Sequence, residues 1–160
     1  MTGPFTVRPA TPADLPAVGR MGAQLLRDHH AFDTRRFMAP RPDAEDGYAW
    51  FLGSQLEEPD SVVLVAERDG RAVGYAYAAM EPHSWKELRE PAGFIHDVFV
   101  DEDARGAGVA TALVEACVAW LGHHGAPRVL LWTAAPNDRA RRLFERLGFR
   151  HTMLEMTREC

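Results

Sequence analysis

Apolar and polar positions along this chain follow two periods, and the switches between them mark its elements. Residues 5–8, FTVR, form a short β-type run. Thr11, Pro12 and Asp14 then read as N-cap, first helical residue and first-turn acid of a helix. Leu15, Val18, Met21 or Gly22, and Leu25/Leu26 recur at helical spacing to about Asp28. The stretch 29–42, HHAFDTRRFMAPRP, has no clean period and ends in prolines, which predicts a loop. Asp43 to about Leu56 predicts a second helix with Tyr48, Phe51/Leu52 and Leu56 on one face. The apolar runs 61–67 (SVVLVAE) and 72–80 (AVGYAYAAM) read as two strands. Between them lies Asp69-Gly70, a strong hairpin signal because both residues accept positive φ.

A polar loop over 81–93 leads to a strand at 94–100, FIHDVFV. A loop with two glycines follows, then a helix with Val109, Leu113, Ala116/Cys117 and Trp120/Leu121 on its buried stripe. Gly125 and Pro127 end that helix. RVLLW (128–132) reads as a buried strand, NDRARRLFERL (137–147) as a helix capped by Asn137 and closed by Gly148, and RHTMLEMTRE (150–159) as a last strand. The order β-α-α-β-β-β-α-β-α-β predicts an α/β fold of the α+β type, one mixed sheet with helices on both faces. No linker or repeat interrupts it, so residues 1–160 are expected to form one domain.

Composition narrows the function. A chain of 160 residues that is 46% apolar and 26% charged suits one globular core. No apolar run reaches the ~18 residues of a membrane span, and the opening MTGPFTVRPATPAD lacks a basic-then-apolar leader, so neither membrane nor signal peptide is expected. Two cysteines make no disulfide framework and no metal-ligand spacing. A reducing cytoplasm and no metal are the expectation, with Cys117 as core filler. Net charge is −5, and no basic patch interleaves with aromatics, which argues against nucleic acid. The acidity mildly favours cationic partners. Four arginines in RARRLFER (139–146) read as a solvated helix face, with one or two of them near an anionic ligand.

The chemistry concentrates in DARGAGVATALV (103–114). A helix beginning near Gly106 leaves its first N–H groups unpaired and carries the positive end of the helix dipole. Glycines let an anion approach that backbone, and Arg105 can add a charge-assisted hydrogen bond. A Walker loop needs a Lys that is absent. A dinucleotide fingerprint needs glycine where Thr111 stands, and it opens the first strand–helix unit rather than following a fourth strand.

What remains, R-x-x-G-x-A from Arg105 to Ala110, resembles the cofactor motif of the GNAT N-acetyltransferase family. TVRPATPADLPAV, VAERDGRAVGYAYA, DVFVDEDARGAGVATAL and NDRARRLFERLGF are similar to that family's successive elements in order and spacing, covering about residues 5–158. The resemblance implies an acetyl-CoA-dependent N-acetyltransferase in which an amine attacks the thioester directly. It implies that the backbone of Val98, Phe99 and Val100 holds the pantetheine arm like an added strand, with the Val98 N–H polarising the thioester carbonyl. It assigns the pyrophosphate to Gly106, Ala107, Gly108, Val109, Ala110 and Thr111 beside Arg105, and the cofactor arm to Asn137, which also reads as a plain helix cap.

The amine needs a proton acceptor: His96 is convenient for base work near neutrality, and Asp97 suits an anchor for a cationic amine or a base acting through water. Neighbouring strand residues face opposite ways unless a bulge intervenes, so the choice stays open. Many family members carry a tyrosine as general acid where this chain has Phe144, leaving Phe144 a cofactor contact without a proton. The three tyrosines are Tyr48, Tyr75 and Tyr77; the last two share a face of their strand. A thiol pKa of ~8.5 lies within ~1–2 units of neutrality, so the thiolate can also leave without an acid. His29, His30, Asp33, Glu81, His83, Trp85 and Glu87 are candidates for the acceptor mouth. The expected acceptor is a small cationic amine, with a protein amine as a variant. The alternative is a non-catalytic acyl-CoA-binding module. The resemblance also allows a homodimer joined at sheet edges.

Overall fold

The computed structural model describes residues 3–160. Its elements in chain order are β1 (Thr6–Pro9), α1 (Leu15–Phe32), α2 (Ala44–Gln55), β2 (Ser61–Arg68), β3 (Arg71–Glu81), β4 (Ala92–Val100), α3 (Val109–His123), β5 (Val129–Leu131) and α4 (Asp138–Arg146). The sheet has five strands in the order β1-β2-β3-β4-β5. Its first four pair antiparallel, and β5 joins β4 in parallel. Among the described residues no helix is long and apolar enough to cross a membrane.

Period-two alternation divides the side chains between the two faces. One face gathers Leu64, Ala66, Ala76, Ala78, Ile95 and Val100 under Leu113, Val114, Cys117 and Leu121 of α3. The other gathers Val63, Val65, Tyr75, Tyr77 and Phe99 under Val18 and Met21 of α1 and Leu52 of α2. Cys117 is fully buried, which pushes its thiol up to about 12 and makes it packing rather than nucleophile. Gly74 sits where α3 crosses the sheet. A Cβ there would lie 2.9 Å from the Phe99 carbonyl and 3.3 Å from Val109, so glycine lets the start of α3 settle close to the end of β4.

Local chemistry made the predicted hairpin turn. Asp69 and Gly70 both hold positive φ, 51° and 72°, and close the β2–β3 hairpin. Pro12–Asp14, expected as the first turn of the helix, is instead a separate 3-10 turn before α1. There Asp14 accepts from the Thr11 N–H at 2.8 Å and from Arg8 at 2.8 and 2.9 Å. The Arg8 bonds chiefly hold its carboxyl down to about 2.

The strand expected to be buried over 128–132 is only Val129–Leu131, is half-buried and leaves Trp132 70% exposed; four further expectations need correction. First, α1 does not stop near Asp28. It runs to Phe32, because His29 Nδ1 bonds the Leu25 carbonyl at 2.8 Å and the last turn packs on Phe37, so His29 and His30 are helical. Second, the 81–93 loop is shorter: β3 extends through Glu81 and β4 begins at Ala92, with a Ser84–Arg89 bridge between them. Third, α3 begins at Val109, after the glycines. Fourth, residues 150–159 form no strand and lie exposed. Their β-type pattern is a local property, whereas a strand also needs a partner edge.

Candidate active site

The divergence of β4 from β5 sets up the site. The two pair only through Gly93–Ile95 with Val129–Leu131. From His96 to Val100 the β5-facing side of β4 has no strand against it among the described residues. Val98, Phe99 and Val100 line this open edge, while their other side pairs with Ala76, Tyr75 and Gly74 of β3. Backbone groups on such an edge are an added-strand site for an extended ligand.

The glycine loop lies at the end of the same strand. Gly106 and Gly108 have φ of 78° and 82°, and a Cβ on either would meet open space. Backbone conformation, rather than crowding, therefore demands glycine there. Gly108 is the N-cap of α3, and the first helical bond runs from the Ala112 N–H to its carbonyl at 3.0 Å. The N–H groups of Val109, Ala110 and Thr111 have no partner among the described residues. Val109 is buried, and Ala107 and Ala110 pack against the same core, which anchors the loop.

Arg105 turns back, its Nε donating to the Val100 carbonyl at 3.1 Å while the guanidinium lies 5.9 Å from the centre of the Phe99 ring. The structure adds Arg139, at the start of α4. Desolvation first, then the like charge of Arg105, lower its pKa. Arg105 and Arg139 are near enough to feel each other's charge, and among the described residues no carboxylate is hydrogen-bonded to either. The arginine run signalled a second cation in sequence without showing which arginine would be nearest Arg105.

Asn137 caps α4 by accepting the Ala140 N–H through Oδ1 at 3.2 Å. Its amide NH₂ is left to donate, so capping and ligand contact are compatible. Phe144 packs edge-on to Phe149 at 5.9 Å on the α3 side of the sheet, and nothing at its position can give a proton.

The other side of β4 is built from side chains. A β-bulge separates Tyr77↔Asp97 from Ala78↔Ile95, leaving His96 as the extra residue. His96 therefore lies at the surface, Nε2 on Glu81 Oε1 at 2.8 Å, its ring stacked on Tyr77 and Phe94. Asp97 turns inward and accepts from the Tyr75 hydroxyl at 2.9 Å. The residue keeps some exposed surface, but protein encloses its carboxyl closely enough to push the pKa up. Desolvation dominates, and the Tyr75 hydrogen bond and the imidazoles of His96 and His29 partly offset it.

Tyr48 joins this group from α2. A Cβ on Gly22 of α1 would lie 2.4 Å from the Tyr48 ring, so the missing side chain is what admits it. Burial and then the Asp97 charge push the Tyr48 hydroxyl up to about 12, and that hydroxyl has no hydrogen-bond partner among the described residues. Tyr77 is turned away, its hydroxyl bonded to Gln55 at 3.2 Å. Sequence reasoning passed over Tyr48 as part of an apolar helix face, and only helix packing brings it to Asp97.

The mouth candidates separate. His29 contributes field at Asp97, and Glu81 holds His96. Asp33 is spent on the N–H groups of Arg35 and Arg36, and Glu87 on Arg89. His30 bonds the Phe37 carbonyl at 3.1 Å. Trp85 is 85% exposed beside His83, and no contact brings either to the Asp97 group.

Comparison with known proteins gives a consistent result. The model of the acetyltransferase (GNAT) family matches residues 24–149. An uncharacterized N-acetyltransferase of Methanocaldococcus jannaschii is 33% identical over 100 residues, covering 62% of this chain and 44% of the relative. A mycothiol acetyltransferase of Acidimicrobium ferrooxidans is 31% identical over 148 residues, covering 88% and 46%. The chain therefore spans less than half the length of these two relatives. Among solved structures, an aminoglycoside N-acetyltransferase in complex with CoA superposes with a TM-score of 0.78 at 20% identity, covering 100% of this chain and 97% of that one. That likeness shows the fold.

Proposed function

The chain belongs to the acetyltransferase (GNAT) family, and from that premise we propose that residues 1–160 form one N-acetyltransferase domain that moves the acetyl group of acetyl-CoA to a primary amine. One observation carries the reading: the open β4 edge runs between a backbone anion cradle on one side and a raised-pKa carboxyl on the other. Acetyl-CoA supplies an activated thioester, and the cradle suits its diphosphate. Free N–H groups of Val109, Ala110 and Thr111 point from a helix start, the glycines keep that approach open, and Arg105 and Arg139 supply charge.

Each residue then has a task. Val98, Phe99 and Val100 offer backbone to the pantetheine arm, Asn137 offers its amide NH₂, and the Val98 N–H donates to the thioester carbonyl oxygen. Phe144 gives the arm an apolar contact. Asp97 takes the amine proton. A carboxyl lifted by desolvation is a better base near neutrality than an ordinary one, and the Tyr75 hydroxyl holds it in place. Tyr48 donates a hydrogen bond at the acceptor mouth. His96, engaged by Glu81, lines that mouth rather than serving as base. With Phe144 silent, the thiolate leaves unassisted, at a thermodynamic cost of about 1.5–3 kcal/mol near neutral pH.

Asp97, Glu81 and the net charge of −5 favour a small cationic amine over a protein amine. The absence of a proton donor at Phe144 favours, as second reading, a domain that binds acyl-CoA without turnover. Thiol release from acetyl-CoA with a panel of polyamines, amino acids and aminoglycosides separates them. Amine-dependent release is expected. Thermal stabilisation by acetyl-CoA with no release from any amine or peptide would favour the binding domain, and no stabilisation by any CoA ester would overturn both.

A further inference from the structure

Five rings form an unbroken row across the α1-side face of the sheet. Phe51 of α2 meets Tyr77 of β3 edge-on, with 5.7 Å between ring centres. Tyr77 stacks on His96 at 5.1 Å, and His96 stacks on Phe94 at 4.6 Å. Phe94 then meets Trp132 edge-on at 5.2 Å. The row is anchored from within, since Tyr77 and Phe94 are buried. Its ends are open: Phe51 is 41% exposed and Trp132 70%. Tryptophan is on average a well-buried residue, and here most of an indole stands in solvent at the end of an ordered row.

Strand geometry sets this row at the acceptor mouth. Trp132 is two residues after Leu130, so it shares the face on which Leu130 pairs with Phe94. The β4–β5 pairing ends at Ile95 and Leu131. His96 and Trp132 are therefore the first residues past the last pair, where the two strands part. Asp97 is the next residue along β4. Its charge is felt at Tyr77, and the His96 imidazole is felt at Asp97. Glu81, the carboxylate beside the row, is already engaged by His96 at 2.8 Å.

We propose that this row holds the body of the acceptor, and that the acceptor is an arylalkylamine, a flat aromatic ring joined by a short chain to a primary ammonium. The proposal rests on the acetyl-transfer reading of the site and names its substrate. The ring of the acceptor packs on Trp132 beside His96, in offset or edge-on contact. Its ammonium reaches Asp97, one residue further along β4. Successive strand residues are ~3.3 Å apart, so a linker of a few carbons spans that step. Ring faces also attract the positive charge of the ammonium. A polyamine fits less well, because its second ammonium needs a second free carboxylate and Glu81 is engaged. A protein amine fits less well too, because a row one ring wide offers far less than the ~800 Å² that each partner of a stable complex usually buries. Trp132 thus sets specificity by holding the acceptor's body and touches no reacting atom.

The experiment measures thiol release from acetyl-CoA by the full chain with phenethylamine, cyclohexylethylamine and spermidine. Cyclohexylethylamine matches the bulk and charge of phenethylamine without an aromatic ring. Phenethylamine is expected to lead it in kcat/KM by about two- to tenfold, the worth of one good aromatic contact. Trp132→Leu keeps an apolar side chain at an exposed position, so folding survives. It is expected to erase that lead through KM, with kcat little changed, and Trp132→Phe is expected to restore most of it. Equilibrium dialysis of phenethylamine gives a readout that needs no turnover. Turnover without an aromatic lead, or a lead that survives Trp132→Leu, would overturn the assignment while acetyl transfer stands. A larger kcat/KM for spermidine or for a lysine-bearing peptide would overturn it equally. If no amine releases thiol, yet phenethylamine binds and Trp132→Leu weakens that binding about two- to tenfold, the acetyl-transfer reading falls and the aromatic site stands. No release and no binding would overturn both.

Discussion

The two sides of β4 solve their tasks with different materials. The side facing α3 is built from backbone: an unpaired strand edge, a loop held by two positive-φ glycines, and three free N–H groups at a helix start. The side facing α1 is built from side chains: Asp97 on Tyr75, with Tyr48 admitted through Gly22. A backbone site depends on conformation, so it tolerates many side chains and demands glycine at only a few positions. A side-chain site depends on which groups meet, so one substitution can abolish it. The protein would therefore hold its co-substrate by the general solution and choose its acceptor by the particular one.

The largest expected break in this contrast is Asp97→Asn. It should lower amine-dependent turnover by about 10²–10⁴-fold while thermal stabilisation by acetyl-CoA persists; loss of that stabilisation would show that the two sides are not separable. Gly108→Ala should do the reverse. Forcing a Cβ into left-handed backbone costs about 1–2 kcal/mol, which should raise the acetyl-CoA KM roughly tenfold and leave the acceptor KM nearly unchanged.

Tyr75→Phe sharpens the acceptor side. The Tyr75 hydrogen bond favours ionised Asp97, so its loss should move the acid limb of kcat/KM to higher pH, read from a pH–rate profile. That limb must be separated from unfolding, and Asp14 provides the control. Its carboxyl is lowered from 3.8 to about 2 in the fold. Its contribution to stability is therefore complete above the unfolded value and is lost as pH falls from there toward 2. Asp14→Asn should flatten that part of the melting-temperature profile without moving the kinetic limb.

The smallest effect is expected from Phe144→Tyr, a few-fold change in kcat at most. A position that packs against Phe149 without chemistry should accept one hydroxyl at the open edge. Abolished turnover there would reveal a packing role against the bound arm.

What the sequence determined by itself was local. Asp69-Gly70 specified a hairpin because few residues accept positive φ twice in succession. Gly106 and Gly108 specified a left-handed turn into α3, whose first N–H groups any helix start leaves free. Period-two and period-3.6 runs specified the elements from β1 to α4 because burial selects them residue by residue. The tertiary structure decided the rest. The bulge that turns Asp97 inward and His96 outward is a property of the β3–β4 pairing, invisible in FIHDVFV alone. Tyr48 comes within range of the Asp97 charge only because two helices close over Gly22. Residues 150–159 carry a strand's pattern yet form none, since pattern supplies the preference and an adjacent edge must supply the hydrogen bonds.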